Sequence, residues 1–344
     1  MYINDKIKLC GRYYLDNGAY AFDNVSSGIE IHFKGTSISI SAKTYARERI
    51  NPDYPMYTVV NLNIDGKDYK TIDVKNNDYE TILIADGLDN SIHNITILKT
   101  DDPLISTFFV KEVFVEGELL YPIERKISIE AYGDSILSGG DNLIGDGPSL
   151  DVVPGTGDGT KTYVTLAAKR LNANVSVFSR CGLCLYPASS LDQEVVVCKI
   201  FNKVSTQNLI DWDMNNYNPN VIVVGLGTND ELGNCFSKKD FIKAYEDFII
   251  GLSNIYNKNI LFICSYGYMN KDDRIKNSIK IIVEELKSKS FLIEELELPK
   301  AKRGHPSVDE HLMGSYLLER IIKNNIWYWT FKNIFIKTYF NTYI

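Results

Sequence analysis

The sequence predicts an α/β protein in two parts: an amino-terminal β-sandwich of jelly-roll type, then a three-layer α/β/α domain on a parallel sheet. Three observations predict it. Residues 6–115 show period-two alternation of apolar and polar side chains, broken by turn residues, with no helical run. After Arg125 apolar strand-like runs alternate with stretches at helical spacing. The length of 344 residues exceeds the usual size of one domain.

In the first part, Ile29, Ile31 and Phe33 alternate with polar neighbours, and Ile38 and Ile40 alternate with serines. Val59, Leu62 and Ile64 lead into Asp65-Gly66, a strong hairpin signal before a strand over 69–74. Further strands are expected at 79–85, 91–98 and 108–115, and no internal repeat is visible. A boundary fits the segment 117–124, where Leu119-Leu120-Tyr121-Pro122 leads into the next strand. The expected units are therefore 1–120 for the sandwich, 121–325 for the α/β domain and 326–344 for a tail. The short join leaves little room for a flexible linker, so the sandwich is expected to be an integral part of the protein.

In the second part, Ile127 and Ile129 mark a strand over 126–131, and 175–179, 221–226, 260–265 and 291–293 read as buried parallel strands. Helices are expected at 162–171, 237–256 and 272–287. The middle one places Phe241, Tyr245, Phe248, Leu252 and Ile255 at helical spacing, with Ser237 and Asp240 resembling a capping box. A second box, Ser307-Val308-Asp309-Glu310, opens a last helix through about Ile322. The tail carries Trp327, Tyr328, Trp329, Phe331, Phe335, Tyr339, Phe340 and Tyr343, broken by Lys332 and Lys337. A spanning helix needs about 20 nearly uncharged residues, so a membrane span is rejected and packing against the fold is expected.

Composition bounds the function. With 44% hydrophobic and 24% charged residues the chain can bury a sizeable core. A net charge of -7 and the lack of any Lys/Arg-rich run exclude a nucleic-acid surface. The first twenty residues have no apolar h-region. Cysteines 10, 181, 184, 198, 235 and 264 show no framework spacing, so reduced thiols and a cytoplasmic location are expected. No His/Cys/acid cluster has metal spacing, and no cofactor is implied.

The chemistry centres on Gly133-Asp134-Ser135, where the strand hands over to a Gly-rich turn. The carboxyl ends of such strands are where ligands bind in open α/β sheets. By composition alone Gly-Asp-Ser arises in about one chain in ten of this length. A serine there needs a base and oxyanion donors. Three stretches could supply them. Arg180-Cys181-Gly182 follows the next strand, and Gly182 can present a bare backbone N–H. Gly227-Thr228-Asn229-Asp230 follows the third, offering an amide side chain. Gly304-His305-Pro306-Ser307 precedes the last helix, with Pro306 keeping His305 on a loop.

These four blocks, in this order, resemble those of the SGNH (GDSL-type) hydrolases. A sandwich ahead of them, with Gly11-Arg12, 28–33 and 93–98, is similar to carbohydrate esterase family 2, the acetylxylan-esterase-like deacetylases. The resemblance covers nearly everything but the tail. It implies Ser135 as nucleophile, His305 as general base, and the Ser135 N–H, Gly182 N–H and Asn229 side chain as the oxyanion hole, each donor being worth about 10²–10³ in rate. Many SGNH enzymes carry an Asp three residues before the histidine, where this chain has Lys302. The resemblance allows a Ser-His dyad with a backbone carbonyl orienting the imidazole, and Asp309, the nearest acid to His305 considered, is expected to serve the helix N-terminus instead.

Other residues have plainer readings. His32 and His93 are expected to be structural or surface residues, His311 structural, and Asp134 and Asp230 loop-bracing acceptors. Cys181 and Cys184 have redox spacing without a thioredoxin-like setting. The segment 155–162 nearly matches a P-loop, but Thr160 stands in the second glycine's place. Trp212, Tyr266 and Tyr268 are equally readable as sugar platforms or core. The expected activity is serine-esterase removal of O-acetyl groups from carbohydrate. Its substrate would be an acetylated sugar, with 6-O-acetyl preference implied by the resemblance, and nothing fixes an oligomeric state. The rival readings are another lipase, thioesterase or acetyl transferase on this fold, or a carbohydrate-binding protein without catalysis.

Overall fold

The computed structural model describes residues 5–48, 53–144, 152–187, 192–232, 236–257 and 259–340, with side chains described through Asn325. Nine strands come first: β1 (Ile7–Cys10), β2 (Tyr14–Asp16), β3 (Ala19–Phe22), β4 (Gly28–Ala46), β5 (Thr58–Ile64), β6 (Lys67–Val74), β7 (Glu80–Ala85), β8 (Ser91–Lys99) and β9 (Ser106–Leu119). They form one antiparallel sheet ordered β2-β3-β9-β4-β8-β5-β6, with β1 and β7 also paired to β4. Period-two alternation does its expected work here. Ile29, Ile31, Phe33, Leu62, Ile95 and Ile97 share one buried cluster, while Glu30, Asn61, Asn63 and Thr96 face the other way. Asp65 and Gly66 turn the β5–β6 hairpin with φ of 52° and 82°, the positive values such a two-residue turn requires.

The second part runs β10 (Ser128–Gly133), α1 (Ser135–Ser138), α2 (Tyr163–Arg170), β11 (Asn174–Ser179), α3 (Val197–Ile200), β12 (Val221–Gly225), α4 (Thr228–Leu232), α5 (Lys238–Tyr256), β13 (Leu261–Tyr268), α6 (Arg274–Ser288), β14 (Ile293–Lys300) and α7 (Val308–Phe340). All pairings in its five-stranded sheet, ordered β11-β10-β12-β13-β14, are parallel. The central strands β10, β12 and β13 are buried on both faces. One face packs on Phe241, Tyr245 and Phe248 of α5 and Ile275, Ile279 and Ile282 of α6; the other packs on Val164 and Ala167 of α2 and Leu318 and Ile322 of α7. That is the three-layer arrangement the strand–helix alternation predicts.

Two boundaries need correction. The last strand starts where it was expected to end, because it is an edge strand. Glu294, Glu295 and Glu297 break up Ile293, Leu296 and Leu298, so no continuous apolar run marks it. The last helix does not stop near Ile322, since Lys323-Asn324-Asn325 contains no breaker, and its backbone continues to Phe340. The end of the aromatic tail, 341–344, and Cys235 lie outside the described residues. Among the described residues no helix is long and apolar enough to cross a membrane.

The two sheets share a buried charge network. Arg12, on the β1–β2 connection, is fully buried in the α/β part. It donates to Glu130 Oε1 at 2.9 Å, to the Tyr132 hydroxyl at 2.8 Å and to the Phe201 carbonyl at 2.6 Å, and its guanidinium lies 4.8 Å from the Phe178 ring centroid. Tyr256 donates to the second Glu130 oxygen. The buried carboxylate of one part is therefore neutralised by the other.

His311 is also buried, beneath Tyr163, whose N–H donates to its Nδ1 at 3.2 Å. Burial pushes its imidazole down to about 3. Below about pH 6.5 the unfolded chain binds a proton here that the folded chain refuses, so stability falls as pH drops from that value toward 3. Urea midpoints between pH 7 and 4 should show this loss, on the order of 3 kcal/mol, and His311→Gln should flatten it. An unchanged slope in a folded His311→Gln would assign the acid sensitivity elsewhere.

Candidate active site

The register of the parallel sheet assembles the site. Gly133, the last residue of β10, sits opposite Ser179 of β11 and Gly225 of β12. The segments that follow, Asp134-Ser135, Arg180-Cys181-Gly182 and Leu226 to Asn229, therefore leave the sheet side by side at its carboxyl edge. Ser135 is the first residue of α1, which Asp134 caps by accepting the Ile136 N–H at 3.0 Å. His305 arrives from the turn before α7. Its capping box is reciprocal: Ser307 N–H donates to Glu310 Oε2 at 2.8 Å, and the Glu310 N–H donates back to Ser307 Oγ at 3.3 Å. The helix start is thus fixed two residues beyond the imidazole.

The result is a Ser135 Oγ to His305 Nε2 distance of 2.7 Å. Both groups are mostly buried, Ser135 at 6% exposure. A hydroxyl donating to a neutral imidazole at this separation is the arrangement a general base needs. Gly140 lies beneath the pair, so close that a Cβ there would stand 3.5 Å from His305 Nε2.

The other two predicted residues are linked through Leu183. Gly182 has φ of +74°, a conformation that favours glycine, and open space where a Cβ would be. Asn229 Nδ2 donates to the Leu183 carbonyl at 3.2 Å, tying its amide to the Gly182 turn. Asp230 braces the same turn: its carboxylate accepts the Leu185 N–H at 3.0 and 3.1 Å. Asp134 is fully buried, and burial lifts its carboxyl to about 7. Both acids hold loops, as their turn positions suggest.

One residue was missed. Among the described residues the acid near His305 is Asp141, with Oδ2 3.9 Å from Nδ1, and not the Asp309 considered from the sequence. Asp141 is 5% exposed and sits with φ of +52° just after Gly139-Gly140. The distance is too long for a hydrogen bond but within ion-pair range. The only sequence signal was an acid in a Gly-rich turn six residues past the nucleophile, far along the chain from the histidine.

The remaining candidates are structural. Trp212 and Tyr266 at 6% and Tyr268 at 1% exposure are core residues, not platforms. In the P-loop-like segment, Asp158 itself accepts the Thr160 N–H and hydroxyl and pairs with Lys161, occupying the place of a phosphate. Cys181 and Cys184 are unbridged.

A parallel sheet with this site at its carboxyl edge is the fold of carbohydrate esterases and GDSL-like lipases among solved structures. Residues 9–122, which hold the amino-terminal sheet, match the family described as carbohydrate esterase 2 N-terminal. The chain is 24% identical over 314 residues to the cellulase/esterase CelE of Acetivibrio thermocellus, covering 87% of this chain but only 37% of the relative's length. Among solved structures, a family two carbohydrate esterase from Clostridium thermocellum in complex with cellohexaose superposes with a TM-score of 0.82 at 21% identity, covering 93% of this chain and 99% of that one. The acetyl xylan esterase Est2A from Butyrivibrio proteoclasticus gives 0.80 at 18%, covering 94% and 96%. The resemblance carried by the four sequence blocks is the one these comparisons find.

Proposed function

We propose that the chain is a serine esterase removing O-acetyl groups from carbohydrate through an acyl-enzyme intermediate. The observation that carries this reading is the 2.7 Å contact between Ser135 Oγ and His305 Nε2 at the carboxyl edge of the sheet. His305 takes the Ser135 proton as Oγ attacks the acetyl carbonyl. The oxyanion is received by the Ser135 N–H, the Gly182 N–H and the Asn229 amide, the alcohol leaves with the proton from His305, and water repeats the sequence to release acetate. The carbohydrate substrate is supported by the relatives' descriptions. We also read the amino-terminal sheet as the jelly-roll sandwich. In support, both halves of the long β4 contribute to a single buried cluster, Ile29 and Ile31 from one and Ile38 and Ile40 from the other. Acetate release from a panel of acetylated xylo- and cello-oligosaccharides tests the activity; turnover of p-nitrophenyl acetate without release from any sugar would shift the reading to another esterase.

His305 acts in this reading as half of a dyad, with Asp141 contributing charge from 3.9 Å away. An anion within about 4 Å favours the imidazolium formed during attack. Asp141→Asn should therefore lower kcat by about 10- to 100-fold with little change in KM, less than the ~10⁴ of a hydrogen-bonded triad acid. Asn also tolerates the positive φ. Asp309→Asn should change kcat by less than about tenfold, because its charge serves the first turn of α7. A thousandfold fall in a folded Asp309→Asn would mean the orienting acid is misassigned.

A further inference from the structure

The turn between β8 and β9, residues 100–105, reaches from the amino-terminal sheet to the loop that carries Gly182. Asp102 divides its carboxylate between the two. Its Oδ1 accepts the Leu104 N–H of its own turn at 2.9 Å, and its Oδ2 accepts the Cys181 N–H at 2.7 Å, 79 residues further along the chain. The second distance is the short one of a charge-assisted bond, and Asp102 is buried. The turn itself is firmly held. The fully buried Lys99 ammonium donates to the Asp101 carbonyl at 2.6 Å and to the Asp102 carbonyl at 3.3 Å, and it pairs with the Asp101 carboxylate. The Ile105 N–H donates back to the Asp102 carbonyl at 3.0 Å.

Cys181 is the residue that aims Gly182. The Leu183 N–H donates to the Arg180 carbonyl at 3.1 Å, closing a turn with Cys181 second and Gly182 third, where φ is +74°. The Gly182 N–H belongs to the peptide unit that begins at the Cys181 carbonyl carbon, so its direction follows from how Cys181 is held. Asn229 and Asp230 tie the far side of the turn, at Leu183 and Leu185, and Asp102 ties the near side.

We propose that Asp102 is a positioning residue for catalysis: by holding the Cys181 N–H it fixes the Gly182 N–H on the oxyanion, and the amino-terminal sheet thereby stabilises the transition state. This role rests on the esterase reading, in which Gly182 is an oxyanion donor. It goes beyond docking the two parts, because the same region docks by other contacts. The Thr100 carbonyl accepts the Gly159 N–H at 2.8 Å, and Ser26 Oγ donates to the Gly159 carbonyl at 3.1 Å. An oxyanion donor acts only when it is aimed, and a misplacement of about 1 Å can cost about 10²-fold in rate.

Asp102→Asn tests this. An amide has one acceptor oxygen; the local turn to Leu104 keeps it, so the NH2 group faces the Cys181 N–H. With p-nitrophenyl acetate, kcat should fall about 10- to 100-fold while KM changes less than about threefold. Inhibition by methylboronic acid, whose tetrahedral adduct on Ser135 places an oxygen in the oxyanion position, should weaken by the same factor as kcat. Asp102→Ala, which removes both acceptors, should lose at least as much. Turnover and boronate inhibition both unchanged in these variants would overturn the proposal and leave the esterase reading standing. A lower kcat and urea midpoint with boronate inhibition unmoved would do the same, by making Asp102 structural only. If the unaltered chain hydrolyses no acetyl ester, the esterase reading fails and this role falls with it. Should neither variant fold, amide exchange of the unaltered chain decides. The Cys181 N–H should exchange at least about tenfold more slowly than an unbonded loop amide, and unprotected exchange there would overturn the proposal.

Discussion

Ser135→Ala and His305→Ala should each remove at least ~10³-fold of kcat while leaving the fold intact, and the double variant should be no worse than either alone. The reason is geometric. A serine without its base, or a base without its serine, leaves only the oxyanion donors and binding, so residues acting as one unit lose their effect together. Neither substitution disturbs packing much: Ser135 lies at the start of a four-residue helix whose cap belongs to Asp134, and the His305 turn is fixed by Ser307 and Glu310. Circular dichroism and kinetics on the three variants check this. Independent, multiplicative losses would show that the two side chains do not work on the same proton.

Arg12→Ala should be the most damaging single change outside the site, costing about 3–5 kcal/mol, because it strands the carboxylate of Glu130 in the core of the other part. The pair is fully buried at both ends. Replacing both residues together by apolar ones, Arg12→Met with Glu130→Leu, should recover much of the loss, since no unpaired charge remains. By the same argument a chain beginning at Glu124 loses Arg12 and should be poorly soluble or markedly less stable. Urea unfolding of the single and double variants decides. A loss below about 1 kcal/mol for Arg12→Ala would show that hydrogen bonds from Tyr132 and Tyr256 hold Glu130 without it.

What could be read in advance followed from local chemistry. Asp65-Gly66 declared its hairpin, Ser237 and Ser307 their helix starts, and the Gly-rich ends of three apolar strands the edge where Ser135, Gly182 and Asn229 emerge. Each of these signals lies within a few residues. What could not be read depends on distance along the chain or on a neighbour's face. Arg12 and Glu130 are 118 residues apart, and a charged residue in a strand pattern looks solvated until the partner sheet covers it. Asp141 meets His305 only because the Gly139-Gly140 turn folds back over the serine. Trp212 and Tyr266 could be core or platform until burial was known. The edge position of β14 hid that strand, because Glu294, Glu295 and Glu297 interrupt its apolar residues on the open side.

The account rests on Ser135 being the nucleophile, and covalent labelling tests that most directly. A serine-directed organophosphonate should add one adduct mass, which peptide mapping places on Ser135, with acetyl-ester turnover lost in proportion to labelling and no adduct formed on Ser135→Ala. An adduct on a different serine, accompanied by loss of turnover, would contradict it.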